Sequence, residues 1–230
     1  MSRERRPEPA GRGHRRAAAL GAATAAGAAG AALAAGLEVA TYPRWRQWCL
    51  NWGATQEEVA RALPGDDLLA EPDILSTRAI GIDAPAGDIW PWLVQMGPGR
   101  AGAYTYDWIE NLFGLGMHSA DEILPQFQDL KVGDAEQLGK RGPVLRVKML
   151  EPEKSLVLRS DDGNWIWIFS LAPEGTGTRL MSRNRITLPG ASRAVRALNT
   201  YLMEPGSLVM ERKMLLGIKQ RAERIAHHCG

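Results

Sequence analysis

The sequence predicts an α+β domain in which an antiparallel sheet is followed by one long C-terminal helix. Three observations lead there. Short apolar runs, separated by turn residues, recur between residues 130 and 188. Residues 191–226 carry a helical apolar period. The stretch TRAIGIDAPAGDIWPWLVQMG (77–97) passes from an alternating strand straight into a tryptophan-bearing helix.

In Thr77–Ile82 the apolar residues alternate roughly with polar ones, as on a half-buried strand. Asp83 is placed to cap the helix that follows, and Pro85 falls where a missing N–H costs nothing. Ile89, Trp90, Leu93 and Met96 then recur at helical spacing, Gly97 suits the position just past the end, and Pro91 predicts a kink. Tyr106, Ile109 or Glu110, and Phe113 give a short helix that Gly114 and Gly116 break. Strands are expected at Leu130–Leu138, Val144–Leu150, Ser155–Ser160, Asn164–Leu171 and Thr178–Leu188, an antiparallel meander of about six strands with the first. The C-terminal helix is expected to break at Glu204-Pro205-Gly206. Beyond it Leu208, Glu211, Leu215, Ile218, Ala222 and Ile225 form one stripe, with Met210 and Met214 alongside.

This order resembles the START-like superfamily, the SRPBCC group of polyketide cyclase/dehydrase and lipid-transport proteins. The likeness covers residues 77–226, and DAPAGDIWPWL, YTYDWIENL and ERKMLLGIKQRAE are similar to an actinobacterial-type subgroup of it. The resemblance implies a helix-grip fold: a curved antiparallel sheet wrapped on the long C-terminal helix around a deep apolar cavity.

Composition adds what lies outside that domain. A chain of 230 residues holds one sizeable core plus appendages. Residues 1–16 carry six arginines against two glutamates. With a total charge of +2, the remainder is slightly acidic, so the basic character belongs to this tail and no nucleic-acid partner is expected. Residues 17–40 are alanine- and glycine-rich, without charge before Glu38. They predict an N-terminal apolar helix that anchors the chain in a membrane, with the domain extracytoplasmic. The alternatives are a cleaved secretory signal ending at Ala32-Leu33-Ala34, and a tail that never meets a membrane. Residues 41–76 read as an aromatic, amphipathic helical linker. Tyr42, Trp45, Trp48 and Trp52 suit either an interfacial belt or packing on the domain, Thr55 and Glu58 have capping-box spacing, and 64–76 is linker. Cys49 and Cys229 make no zinc pattern; they either pair or remain free thiols.

The chemistry-bearing motifs are few. Gly97-Pro-Gly99-Arg-Ala-Gly102 spells G-x-G-x-x-G, but it follows a helix rather than opening one, which excludes a dinucleotide fingerprint. His118 is the one body histidine and has no nucleophile motif beside it, and no metal site or cofactor is expected. Acid–base candidates are Tyr106 and Glu110, which share a helix face, with Tyr104 and Asp107 nearby; the alternative is a solvated helix turn. Arg179, Met181, Arg183 and Arg185 share one strand face, which is expected to meet solvent. By the resemblance, Trp90, Tyr104, Tyr106, Trp165, Trp167, Phe169, Met210 and Met214 line the cavity. The function expected first is binding of a hydrophobic small molecule or lipid. An aromatase/cyclase-like enzyme and a membrane-proximal interaction module with a filled cavity are the alternatives.

Overall fold

The computed structural model describes residues 43–229 apart from 113, 140 and 141, so the basic tail, the apolar segment 17–40, Tyr42 and Phe113 lie outside the described residues. The chain divides into two compact units, 1–46 and 47–230. In the first, residues 43–46 are helical. Among the described residues no helix is long and apolar enough to cross a membrane.

The second unit is built on one six-stranded antiparallel sheet. Its strands are β1 (Ile74–Ile82), β2 (Ala135–Gln137), β3 (Val144–Glu151), β4 (Ser155–Ser160), β5 (Trp165–Glu174) and β6 (Gly177–Ile186), in the spatial order β1-β6-β5-β4-β3-β2. Consecutive strands from β2 to β6 pair as hairpins. The first strand, separated from the others by two helices, closes onto the last. The register follows the alternation in the sequence, with Trp167 opposite Asn184 and Phe169 opposite Ser182.

Helices α1 (Gln56–Ala60), α2 (Ala86–Val94), α3 (Asp107–Leu112), α4 (Arg193–Leu198) and α5 (Glu204–Cys229) complete the unit. The inner face of the sheet meets α2 and α5. Ile89, Trp92 and Leu93 pack there with Met214, Leu215, Ile218 and Ala222 against Leu156, Phe169 and Leu180. Burial of these side chains at about 25 cal/mol per Å² supplies the main drive for the sheet to wrap on the helix. The expected stripe of α5 is the buried one.

Four expectations need correction. The N-cap of α2 is Pro85, not Asp83, whose backbone N–H donates to Glu223 instead. The C-terminal helix does not break at Glu204–Gly206. Residues Asn199–Met203 widen into a π turn in which the Glu204 N–H donates to the Asn199 carbonyl. A wide turn just before Pro205 gives room to a ring that has no N–H and crowds the preceding turn, so the helix runs on. The linker expected at 64–76 is packed instead, Leu68 and Leu69 joining the outer cluster and Ile74 opening β1. The capping box forms as spaced, Glu58 accepting from the Thr55 N–H at 2.8 Å and Thr55 from the Glu58 N–H at 3.2 Å, and the segment covers the outer face of the sheet.

The fourth correction concerns the arginines on that outer face. Arg183 is 1% exposed and Arg185 is buried. Arg183 donates to Thr77, Asp66 and the carbonyls of Glu58, Val59 and Arg61, and Arg185 to Asp66 and the carbonyls of Leu69 and Ala70. Arg179 forks onto Glu58 at 2.7 and 2.9 Å. Alternation identified the face rightly, but its cover lies more than a hundred residues away in sequence, beyond the reach of a local pattern. Cys49 is a buried free thiol, its pKa pushed up by that burial.

Candidate functional site

Between the inner face, α3 and α5 lie two neighbouring apolar pockets, two lobes that share part of their lining. The first, about 400 Å³, is walled by Leu93, Met96, Leu145, Val147, Leu156 and Leu158, with Arg100 and Glu136 at its polar edge. The second, about 340 Å³, is walled by Ile74, Ile186, Met203, Met210 and Met214. Ala103, Glu110, Trp165 and Trp167 line both lobes and make up the waist, the wall the two lobes share.

The tryptophans reach this position through their strand. Trp165, Trp167 and Phe169 alternate on β5 and therefore share the inner face. Each indole N–H is satisfied from β6, Trp165 donating to Asn184 at 2.8 Å and Trp167 to Ser182 at 2.9 Å. The two rings stack, with centroids 5.6 Å apart and planes 18° from parallel. Ser182 and Asn184 thus hold the polar edges of the indoles, so that no buried N–H is left unpaired at the waist.

Glu110 comes from α3 and is 6% exposed. Its Oε2 has no hydrogen-bond partner among the described residues. Burial pushes its carboxyl above the usual range, with the neighbouring Thr105 hydroxyl opposing that shift and the Asp107 charge adding to it. The neighbouring helix residues are otherwise engaged: Asp107 accepts from the Ser119 N–H and hydroxyl, and Asn111 clamps both backbone groups of Met117. Glu211, in the second lobe, receives Arg78 and Asn184 on Oε2 while its Oε1 has no partner among the described residues.

Of the residues expected in the cavity, Trp165, Trp167, Met210 and Met214 line it, and the acid–base candidate Glu110 does too. Phe169 lies one step further along β5 in the closed core, its ring 4.9 Å from that of Trp167. Trp90 packs against the core from α2. Tyr106 is 37% exposed with the Lys213 ammonium 5.8 Å from its ring centre, so it does not join Glu110 at the cavity.

Tyr104 is held away by its own packing. Its hydroxyl donates to the Trp92 carbonyl and accepts from Gln95, its ring meets Trp92 edge-on, and Arg221 lies 4.8 Å from its centre. It does so at φ +58°, an uncommon conformation for a side chain of this size. Burial raises its pKa well above the usual phenol range.

Sequence reasoning did not single out Arg100, Glu136 or Glu211. The paired turn Gly97–Gly102 is what brings Arg100 to the rim of the first lobe, where it donates to the Val94 and Phe127 carbonyls. Glu211 stood on the apolar stripe of α5, and a lone carboxylate on a buried stripe was the available signal. Among the described residues no three His, Cys, Asp or Glu side chains are grouped so that they could hold a metal ion.

The six-stranded antiparallel sheet around a long C-terminal helix, with a cavity between them, defines a helix-grip α+β domain. No family model and no curated protein matches the chain. Solved structures similar to it include protein MLL2253 from Mesorhizobium loti, at 19% identity over 66% of this chain and 98% of that one with a TM-score of 0.40. KanY is 14% identical over 65% and 97% respectively, with a TM-score of 0.44. The polyketide cyclase-like protein Cgl2372 from Corynebacterium glutamicum is 16% identical over 67% and 94%, with a TM-score of 0.36.

Proposed function

We propose that the chain binds a hydrophobic small molecule or lipid in the two-lobed cavity, held at a membrane by residues 17–40 with the domain outside the cytoplasm. The observation that carries the binding reading is the waist. Two apolar lobes meet at Trp165 and Trp167, and each has a volume within the roughly 300–1,000 Å³ common for small-molecule sites. Affinity comes from apolar burial, and the few polar groups set orientation. The tether rests on the sequence, arginines before an apolar stretch and tryptophans after it.

A second reading, an aromatase/cyclase-like enzyme, is favoured by Glu110 alone. A buried carboxyl with a raised pKa and an open oxygen at a cavity is equipped to give and take a proton. Native mass spectrometry of the purified full-length chain tests the binder: a stoichiometric apolar adduct is expected, and Leu158→Trp, which fills the first lobe, should reduce it. A chain that carries no adduct and takes up no apolar probe overturns the reading. Turnover of a polyketone that Glu110→Gln abolishes, with binding retained, selects the enzyme.

A further inference from the structure

Three carboxyl side chains line each lobe, but in the first, Glu110, Asp134 and Glu136 are joined by Arg100, and the second has no such cation. Those of the second are Glu110, Glu204 and Glu211, and among the described residues no arginine or lysine lines it. Arg78 stands behind Glu211, fully buried, and spends its donors on Glu211, Ser207 and the Cys49 carbonyl.

Two carboxylate oxygens on this lining are buried without a partner: Oε2 of Glu110, 6% exposed, and Oε1 of Glu211, 7% exposed. The Glu211 carboxylate is fixed by what it already holds. Arg78 and Asn184 both donate to its Oε2, and Asn184 in turn accepts from Trp165 at the waist. This chain of bonds locks the rotamer and leaves Oε1 as an acceptor on the wall of the lobe. Buried acceptors are paired as a rule, so an open one invites a donor.

We infer that the second lobe receives the polar head of its ligand through a hydrogen-bond donor, a hydroxyl or a protonated amine on an apolar body, and rejects a carboxylate head on the same body. This rests on the binding reading above and adds to it the head group. An alcohol or ammonium supplies the hydrogen that Glu211 Oε1 lacks. A carboxylate head would join three carboxyl side chains, of which Arg78 meets only Glu211, with no lining cation to receive it. The apolar body then lies against Met203, Met210, Met214 and the stacked Trp165 and Trp167 rings.

The probes are 1-decanol, decylamine and decanoate, which share a chain and differ at the head, titrated into the full-length protein by calorimetry. The alcohol and the amine should bind at least ~10-fold more tightly than decanoate, as expected where a like charge is disfavoured. Glu110→Gln and Glu211→Gln each place an amide donor on the wall and should narrow that gap. Glu211→Gln also deprives Arg78 of its counter-charge and risks the fold, so the wild-type series and Glu110→Gln suffice to decide. Equal affinity for the three heads, or a preference for decanoate, overturns this inference and leaves the binding reading standing. Failure of all three to bind overturns both.

Discussion

The two faces of the sheet bury charge in opposite ways. On the outer face Arg183 and Arg185 share Asp66, and their other N–H groups go to the Thr77 hydroxyl and to backbone carbonyls of residues 58–70. On the inner face Glu110 and Glu211 each keep one oxygen without a partner. Burial alone would have marked both faces as candidates for function. Satisfaction separates them: a fully bonded network is bound to the fold, whereas open acceptors beside an empty volume are addressed to something else.

The largest effect should come from breaking the closed network. Asp66→Ala leaves two guanidinium groups buried without their carboxylate and should cost about 3–5 kcal/mol in urea unfolding. On the inner face Leu158→Trp enters open space at the first lobe, so it should remove bound ligand with a much smaller shift in the unfolding midpoint. If Leu158→Trp destabilised as much as Asp66→Ala, the contrast between the faces would collapse.

Gly217→Ala is intermediate. A methyl group there meets the Tyr104 carbonyl oxygen at 2.6 Å and its Cβ at 2.8 Å. Because Tyr104 is pinned by Trp92, Gln95 and Arg221, it cannot give way, and overpacking of this kind costs about 1–3 kcal/mol. Thermal unfolding measures it, and an unchanged midpoint would mean that Tyr104 is not the fixed point between α5 and the cavity loop.

How far the sequence anticipated this contrast depends on the range of each interaction. The strands and the α5 stripe were legible because alternation and helical period are local, and Ser155–Ser160 matches its strand residue for residue. Alternation likewise put Trp165 and Trp167 on one strand face, whereas their place at a cavity was expected only from the resemblance. The outer face was not legible, because Arg183 looks like a solvent-facing arginine until residues 58–66 fold over it. Tyr106 failed to meet Glu110 although both sit near α3. Helical spacing assigns a common side of a helix, but the helix begins only at Asp107, and Tyr106 precedes it under Lys213. Glu211 was legible only as a charge on an apolar stripe, and its open oxygen is a property of the assembled side chains.

The smallest expected effect is also the one that sets the two faces in direct opposition. Glu58 on the outer face has its pKa held below the ordinary 4.5 by the Arg179 hydrogen bonds, against the pull of burial. Its stabilising contribution is complete above 4.5 and is lost as pH falls through the lowered value. Glu110 has its pKa raised above 4.5 by burial, so the folded state holds its proton more tightly than the unfolded chain does. Its ionisation penalty is complete above the raised value and disappears as pH falls towards 4.5. Stability measured by urea unfolding across the acid range should therefore rise and then fall as pH is lowered through these two windows. Glu110→Gln should flatten the slope just above 4.5 and leave the acid limb intact. Glu58→Gln, which preserves the capping geometry, should flatten the limb below 4.5 alone. A Glu110→Gln profile that matched wild type in the upper window would mean that Glu110 meets solvent in both states, and the waist would then carry no polar group suited to a buried ligand.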